Sequence, residues 1–310
     1  MKKWLLLMSV AIVLVVLSAC GESGETSGAE EGEIITVEHE LGKTEVPKNP
    51  ESVVVFDYGI VDSLDKLGVN IEAVAKKSLP EYLSHYSSDQ YENAGSLKEP
   101  DFEKISQMDP DLIIISGRQA PVYEQLSEIA PTIHLGVDTT NYMESFKQNM
   151  MTLGEIFDKK DAVKEELTTL KAEIEKVYEK ASNMDEEGLI VLANDGKVSA
   201  YGPSSRFGLI HDVLGVKPVD DTIEASTHGQ SISFEYITEK NPDYLFVIDR
   251  GAVVGGQSSA KQVVENKLVK KTDAYKNDNI IYLNPEYWYL SGGGLQSVSA
   301  MAEEIGASLE

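Results

Sequence analysis

One cysteine, Cys20, serves a chain of 310 residues. That excludes disulfides, thiolate metal sites and a cysteine nucleophile. Arginine is almost as scarce: of 27 basic residues only Arg118, Arg206 and Arg250 are arginine. Positive charge as a whole is short, set against 52 acidic residues for a net charge of −25. So acidic a chain lacks the basic footprint that nucleic acid demands, and anionic lipid headgroups repel it. The five histidines, His39, His85, His134, His211 and His228, are scattered, so no zinc or manganese centre is expected. A G-x-S-x-G elbow, an H-E-x-x-H helix and a P-loop are all missing. No catalytic residue is expected, and the chain does not read as an enzyme.

What is present begins with an export signal. Lys2 and Lys3 precede an apolar run from Trp4 to Leu17, which is shorter than the roughly 20 residues of a membrane span. The run ends in Leu17-Ser18-Ala19-Cys20, which resembles a lipobox. The resemblance implies that residues 1–19 are removed and that Cys20 carries the lipid that holds the protein at the extracytoplasmic face of the cell membrane. Acyl chains contribute about 0.8 kcal/mol per buried methylene, and more than one chain gives a stable anchor. The stretch Gly21 to Glu33 is glycine, serine and glutamate with almost nothing apolar, so residues 20–33 read as a lipidated cysteine and a flexible acidic tether.

The body repeats itself. Phe102-Glu103-Lys104-Ile105-Ser106 leads through Asp109-Pro110-Asp111 into Leu112 to Ile115 and ends at Arg118. Phe234-Glu235-Tyr236-Ile237-Thr238 leads through Asn241-Pro242-Asp243 into Tyr244 to Ile248 and ends at Arg250. Each copy predicts a short helix, a proline-led stop and a buried strand of the parallel type. A weaker echo relates Tyr58–Val69 to Phe207–Val216, both closing on Leu-Gly-Val. Two such halves predict two α/β lobes, at 34–141 and 185–310. Between them, in 142–184, Val163, Leu167, Leu170, Ile174, Val177, Ala181 and Met184 recur every three or four residues as one helical stripe. A break is expected at Gly154, with Asp158 capping the second piece.

In this order, the lipobox, the tether, the paired motif (Gly95, Pro100, Glu103, Ile105, Pro110 and Asp111 in the first copy) and the connecting helix resemble the siderophore- and cobalamin-type binding proteins of ABC importers. The resemblance spans the mature chain. It implies two Rossmann-like lobes with central, mostly parallel sheets joined by one long α-helix. It also implies capture of a solute between the lobes and its delivery to a permease with its ATPase.

The arginines narrow the solute. Arg118 and Arg250 follow the carboxyl ends of the repeated strands, where open α/β sheets bind ligands. Arg206 follows the turn Gly202-Pro203-Ser204-Ser205. A guanidinium offers a planar fork to anionic oxygens and stacks on aromatic faces, which suits a ferric catecholate. At about 5 Å and an effective dielectric near 20, each arginine–anion pair contributes roughly 3 kcal/mol before desolvation. The three resemble the basic triad of catecholate, petrobactin-type siderophore binders. A tris-catecholate such as bacillibactin meets the same charge argument. Behind these stand haem or cobalamin held by the same fold and, last, an extracytoplasmic enzyme. Tyr58, Trp288 and His228 are further ligand-binding candidates. Glu103 and Glu235, on the repeated helices, match the positions that dock on the permease in this family. The siderophore is expected to supply the iron ligands, with no cofactor on the protein beyond the lipid of Cys20.

Overall fold

In both copies of the repeat the Pro-Asp stop performs the same mechanical task. The computed structural model describes residues 33–309. In it the helices Phe102–Met108 and Phe234–Lys240 end on left-handed caps, Asp109 (φ 50°) and Asn241 (φ 45°). Asp and Asn tolerate that conformation, and the following proline cannot extend the helix. The next residue staples the new strand to its neighbour. Asp111 accepts hydrogen bonds from the backbone N–H groups of Glu51 (2.8 Å) and Ser52 (2.9 Å), and Asp243 from that of Glu187 (2.9 Å).

The strands that follow sit centrally. Leu112–Ile115 lies between Val53–Val55 and Thr132–His134 in a five-stranded sheet completed by Ala73–Val74 and Glu92–Asn93, parallel throughout. Tyr244–Asp249 lies between Glu187–Asn194 and Ile280–Leu283, again in parallel. Continuous apolar runs suit strands covered on both faces, and Val53–Val55 and Leu112–Ile115 are fully buried. The second sheet is more mixed than the repeat suggests. Glu187–Asn194 turns back antiparallel into Lys197–Tyr201, which pairs antiparallel with Gln230–Ile232. The turn is Asp195-Gly196, both at positive φ, the two-residue hairpin signal. Ahead of the first lobe, Ile34–His39 and Gly42–Pro47 form a separate antiparallel hairpin, tied to that lobe by the Thr44 hydroxyl on the Thr132 carbonyl (2.9 Å).

The connecting region is two helices, and the break differs from expectation. Tyr142–Ile156 packs on the first lobe through Phe146, Met150 and Leu153, and Lys160–Ser182 makes the crossing. Asp158 does not cap the second helix: it adopts φ 54° in the link between the two, while Gly154 stays helical where a Cβ would press on Val163 and Lys160. At 1.5 Å per residue the crossing helix is about 34 Å long. Its predicted stripe is buried at Val163, Leu170, Ile174, Val177 and Ala181.

The C-terminal helix, Leu295–Ser308, packs along the crossing helix, with Gly306 against Val177 and Ser299 donating to Glu173 (2.6 Å). Its amino end is seated on the first lobe. Asp62, in the helix Tyr58–Lys66, is fully buried and accepts from the backbone N–H groups of Gln296 (3.2 Å) and Ser297 (3.0 Å) and from the Tyr82 hydroxyl (3.1 Å). The Ser63 hydroxyl accepts from Leu295 N–H (3.0 Å). Gly294 allows this approach, since a Cβ there would lie 2.1 Å from Asp62 Oδ1. Residues 1–32, with the signal-like segment and Cys20, lie outside the described residues, as does Glu310.

Burial pushes the Asp62 carboxyl up to about 7 from its ordinary 3.8, against the hydrogen bonds from Ser297, Gln296 and Tyr82. The folded protein therefore holds this proton to higher pH than the unfolded chain. The stability so contributed is present below about pH 4 and is lost as pH rises through about 7. Thermal unfolding between about pH 5 and pH 8 should show a fall in Tm that is smaller in Asp62→Asn than in the wild type. Equal falls would exclude Asp62 as the titrating group.

An arginine cluster in the interlobe cleft

A cavity of about 1490 Å³ lies between the lobes, and Arg118, Arg206 and Arg250 all line it. Each is delivered by a different loop. Arg118 follows the strand Leu112–Ile115 in a turn held by the buried Gln119, whose carboxamide oxygen accepts from Ser116 N–H (3.2 Å). Arg250 follows the strand Tyr244–Asp249 and opens a short helix whose amino end is capped by Asp249, which accepts from Ala252 N–H (3.1 Å) and Ala260 N–H (2.7 Å). Arg206 sits in the loop after Lys197–Tyr201, where Asp212 accepts from Ser204 N–H (2.6 Å) and Gly208 admits no side chain.

All three converge on Tyr289. Its carbonyl oxygen accepts from Arg118 Nη2 (3.0 Å) and from Arg206 Nη2 (2.7 Å), and its hydroxyl from Arg250 Nε (2.8 Å). The guanidinium of Arg206 lies over the Tyr289 ring, 4.2 Å from its centroid, and that of Arg250 is 5.7 Å away. Arg250 also donates to Asn194 Oδ1 (2.8 Å). Among the described residues none of the three makes an ion pair with a carboxylate. Burial, and next the charge of Arg118, lower the Arg206 guanidinium from its ordinary value. Burial alone would raise the Tyr289 phenol. The hydrogen bond from Arg250 and the charges of Arg206, Arg250 and Arg118 outweigh it and hold the phenol below its usual range. A cluster of unneutralised cations around a polarised phenol can take a multiply charged anion with aromatic faces.

Tyr289 belongs to a π-helical turn, Glu286–Leu290, whose N–H of Ser291 reaches the carbonyl of Glu286 (3.0 Å). Such turns recur at functional sites. The turn is pinned from behind: Trp288 Nε1 donates to Glu304 (2.8 Å), and so does the N–H of Asn284 (2.9 Å). Trp288 borders the cavity but is only 3 % exposed, so it braces the turn more than it offers a stacking face. His228 is exposed and lines the cavity.

Tyr58 is a correction. It is fully buried, and its hydroxyl lies against the carbonyls of Ala75 (2.6 Å) and Lys77 (2.9 Å), just past the strand Ala73–Val74. It does not line the cavity. Asn194 is a residue that the sequence did not single out for this role, and Tyr289 stood there only as a weaker pocket candidate beside Tyr287 and Trp288. Tyr289 was within reach, as part of the aromatic run after a strand, whereas Asn194 carried only its place beside the Asp195-Gly196 turn. Glu103 and Glu235 lie apart from the cavity, exposed at the second positions of their two helices. Among the described residues no group of three or more histidine, cysteine or carboxylate side chains is placed to hold a metal ion, and no helix is long and apolar enough to cross a membrane.

The chain is 54 % identical to the petrobactin-binding protein YclQ of Bacillus subtilis over the full length of both. The crystal structure of YclQ superposes with a TM-score of 0.88 at 56 % identity, covering 90 % of this chain and 99 % of that one. The ferric-anguibactin-binding protein FatB of Vibrio anguillarum is 35 % identical over 87 % of this chain and 86 % of its own. The structure of the periplasmic catecholate-siderophore-binding protein VctP of Vibrio cholerae has a TM-score of 0.84 at 37 % identity, covering 89 % of this chain and all of that one. Residues 53–287, which hold both sheets and the whole of the arginine loops, match the family model described as periplasmic binding protein, and the chain belongs to that family.

Proposed function

We propose that this protein captures a ferric catecholate siderophore of the petrobactin type in the interlobe cleft and hands it to an ABC permease for iron uptake. The observation that carries the reading is the meeting of all three arginines on Tyr289 without a neutralising carboxylate among the described residues. Two of those loops are the same place of the repeat, so the anion site is built into the two-lobed plan. The likeness to YclQ, a petrobactin-binding protein, supports this ligand. FatB and VctP, whose names also specify siderophores, support the class.

The chain acts on this reading as a binder rather than an enzyme. Arg118, Arg206 and Arg250 hold the anionic oxygens, Tyr289 positions them, and His228 faces the ligand from the rim. Glu103 and Glu235 present one carboxylate per lobe to cationic side chains of the permease. A lipid on Cys20 and the tether behind it keep the protein at the extracytoplasmic face of the membrane.

Trp288 is the one tryptophan beyond residue 19, so its fluorescence in the soluble chain from Gly21 onward reports directly on the cleft. Titration with ferric petrobactin should quench it, and alanine at Arg118, Arg206 or Arg250 should raise the Kd by about tenfold or more, within the roughly 3 kcal/mol of one arginine–anion pair. Tyr289→Phe should cost less, because the backbone carbonyl still receives two guanidinium groups. Unchanged affinity in all three arginine variants would sink the cleft assignment. In cells, Glu103→Ala combined with Glu235→Ala should abolish iron uptake from the siderophore while the purified variant still binds it. Normal uptake would remove these residues from the docking role.

A further inference from the structure

The turn that carries Tyr289 is held at both ends by the first lobe. At its leading end, both carboxylate oxygens of Glu286 accept from the N–H of Glu81 (3.0 Å each), and the rings of Tyr287 and Tyr82 pack with centroids 4.8 Å apart. Behind the turn, Ser291 to Gly294 pass over the helix Tyr58–Lys66 with no side chain between the two backbones. A Cβ on Gly59 would lie 2.8 Å from the Ser291 carbonyl oxygen and 2.9 Å from the Gly294 nitrogen. One turn further along that helix, Asp62 receives the N–H groups of Gln296 and Ser297, one on each oxygen, and the Gln296 side-chain amide returns to the Asp62 carbonyl (2.9 Å). Gly59 sets how close the chain comes, and Asp62 sets where along the helix it is stopped.

The segment between the two clamps is short, so the turn has little freedom of its own. A displacement at the rear pivots it about Glu286 and carries the Tyr289 carbonyl along. That carbonyl is the shared acceptor of Arg118 from one lobe and Arg206 from the other, at 3.0 Å and 2.7 Å. Hydrogen bonds of this kind have their range up to about 3.2 Å, so a shift of about half an ångström is enough to release Arg118. Neither Gly59 nor Asp62 lines the cavity.

We infer that Gly59 and Asp62 are positioning residues for ligand capture: from inside the first lobe they set the place at which Tyr289 gathers the arginines of both lobes. The consequence for affinity rests on the catecholate reading above, and the consequence for Tyr289 itself does not. Binding sites need their donors held to a fraction of an ångström by residues that never meet the ligand, and here one helix face supplies that support.

Two variants test this. Gly59→Ala adds one methyl group, removes no hydrogen bond and suits a helix better than glycine does. Asp62→Asn keeps the shape of the side chain but replaces one accepting oxygen with a donor. The first readout is ionisation of the Tyr289 phenol, followed in near-ultraviolet absorbance as the difference between each protein and the same protein carrying Tyr289→Phe. In the wild type burial raises this phenol, but the hydrogen bond from Arg250 and the charges of Arg206, Arg250 and Arg118 outweigh it, so it ionises below the ordinary 10.0. Both variants should move it upward as the guanidinium groups disperse. The second readout is the Kd for ferric petrobactin, which both should raise about tenfold, as for the loss of one charge-assisted hydrogen bond. Combined with Arg118→Ala, each should cost less than the product of the separate losses, because the donor it displaces is already gone. An unmoved phenol in Gly59→Ala, or losses that multiply with that of Arg118→Ala, would overturn the positioning role. Should Asp62→Asn fail to fold, Gly59→Ala decides alone. A phenol that moves while the wild type binds no ferric petrobactin would uphold the positioning role and overturn the functional reading.

Discussion

The geometry of the cleft depends on where the C-terminal helix begins, and that is set by one buried carboxylate. Asp62 receives the N–H groups of Gln296 and Ser297, so the positive end of a 14-residue helix rests on an acid supplied by the other lobe. From that point the chain is tied backward. The Ser297 hydroxyl donates to the Ser291 carbonyl (2.7 Å), and Ser291 closes the π-helical turn that carries Tyr289. Glu304, two turns further along the same helix, holds Trp288. Tyr289 is thus located by contacts on both sides of the turn, none of which involves the arginines it gathers.

That independence matters because the arginines repel one another. Three guanidinium groups around one side chain would disperse if nothing held them, and among the described residues no carboxylate does. A carbonyl dipole shared by Arg118 and Arg206, a phenol oxygen for Arg250 and the carboxamide of Asn194 offset part of the repulsion. The remainder is borne by the folded structure and would be relieved by an anion in the cleft. Attraction and relief would then act together on donors that are already oriented. On a chain of net charge −25 this makes the cleft a local exception, with its field focused between low-dielectric walls.

Much of this plan was legible in the sequence, for a physical reason. A left-handed cap, a proline stop and a strand-stapling aspartate are local requirements, so they recur in register and mark both lobes and both arginines. The stripe of the crossing helix was legible on the same grounds. What escaped is set by contacts between distant residues. Asp62 has meaning only beside Gly294 and Ser297, more than 230 positions away. Tyr58 and Tyr289 both follow strands near the cleft, and sequence position alone ranked the wrong one. A strand's carboxyl end fixes where a residue starts, not which way its ring turns, and Tyr58 turns into the interior toward Ala75. The helix break fell at Asp158 rather than Gly154 because a glycine there serves close packing against Val163 and Lys160 instead of a turn.

The same contacts limit how the lobes can approach each other. Hinge closure needs a few residues that absorb large backbone rotations. Here the described chain crosses from the first lobe to the second within a continuous 23-residue helix, and it returns to the first lobe on a helix whose end is seated on a buried acid. Bending either crossing would break backbone hydrogen bonds or expose Asp62 and its donors. Small sliding of packed helices remains available, as Gly306 against Val177 and Gly294 against Asp62 are surfaces without intervening side chains. Selection therefore falls on side chains already in place. The three arginines thus stand ready at positions that the two helices hold nearly constant.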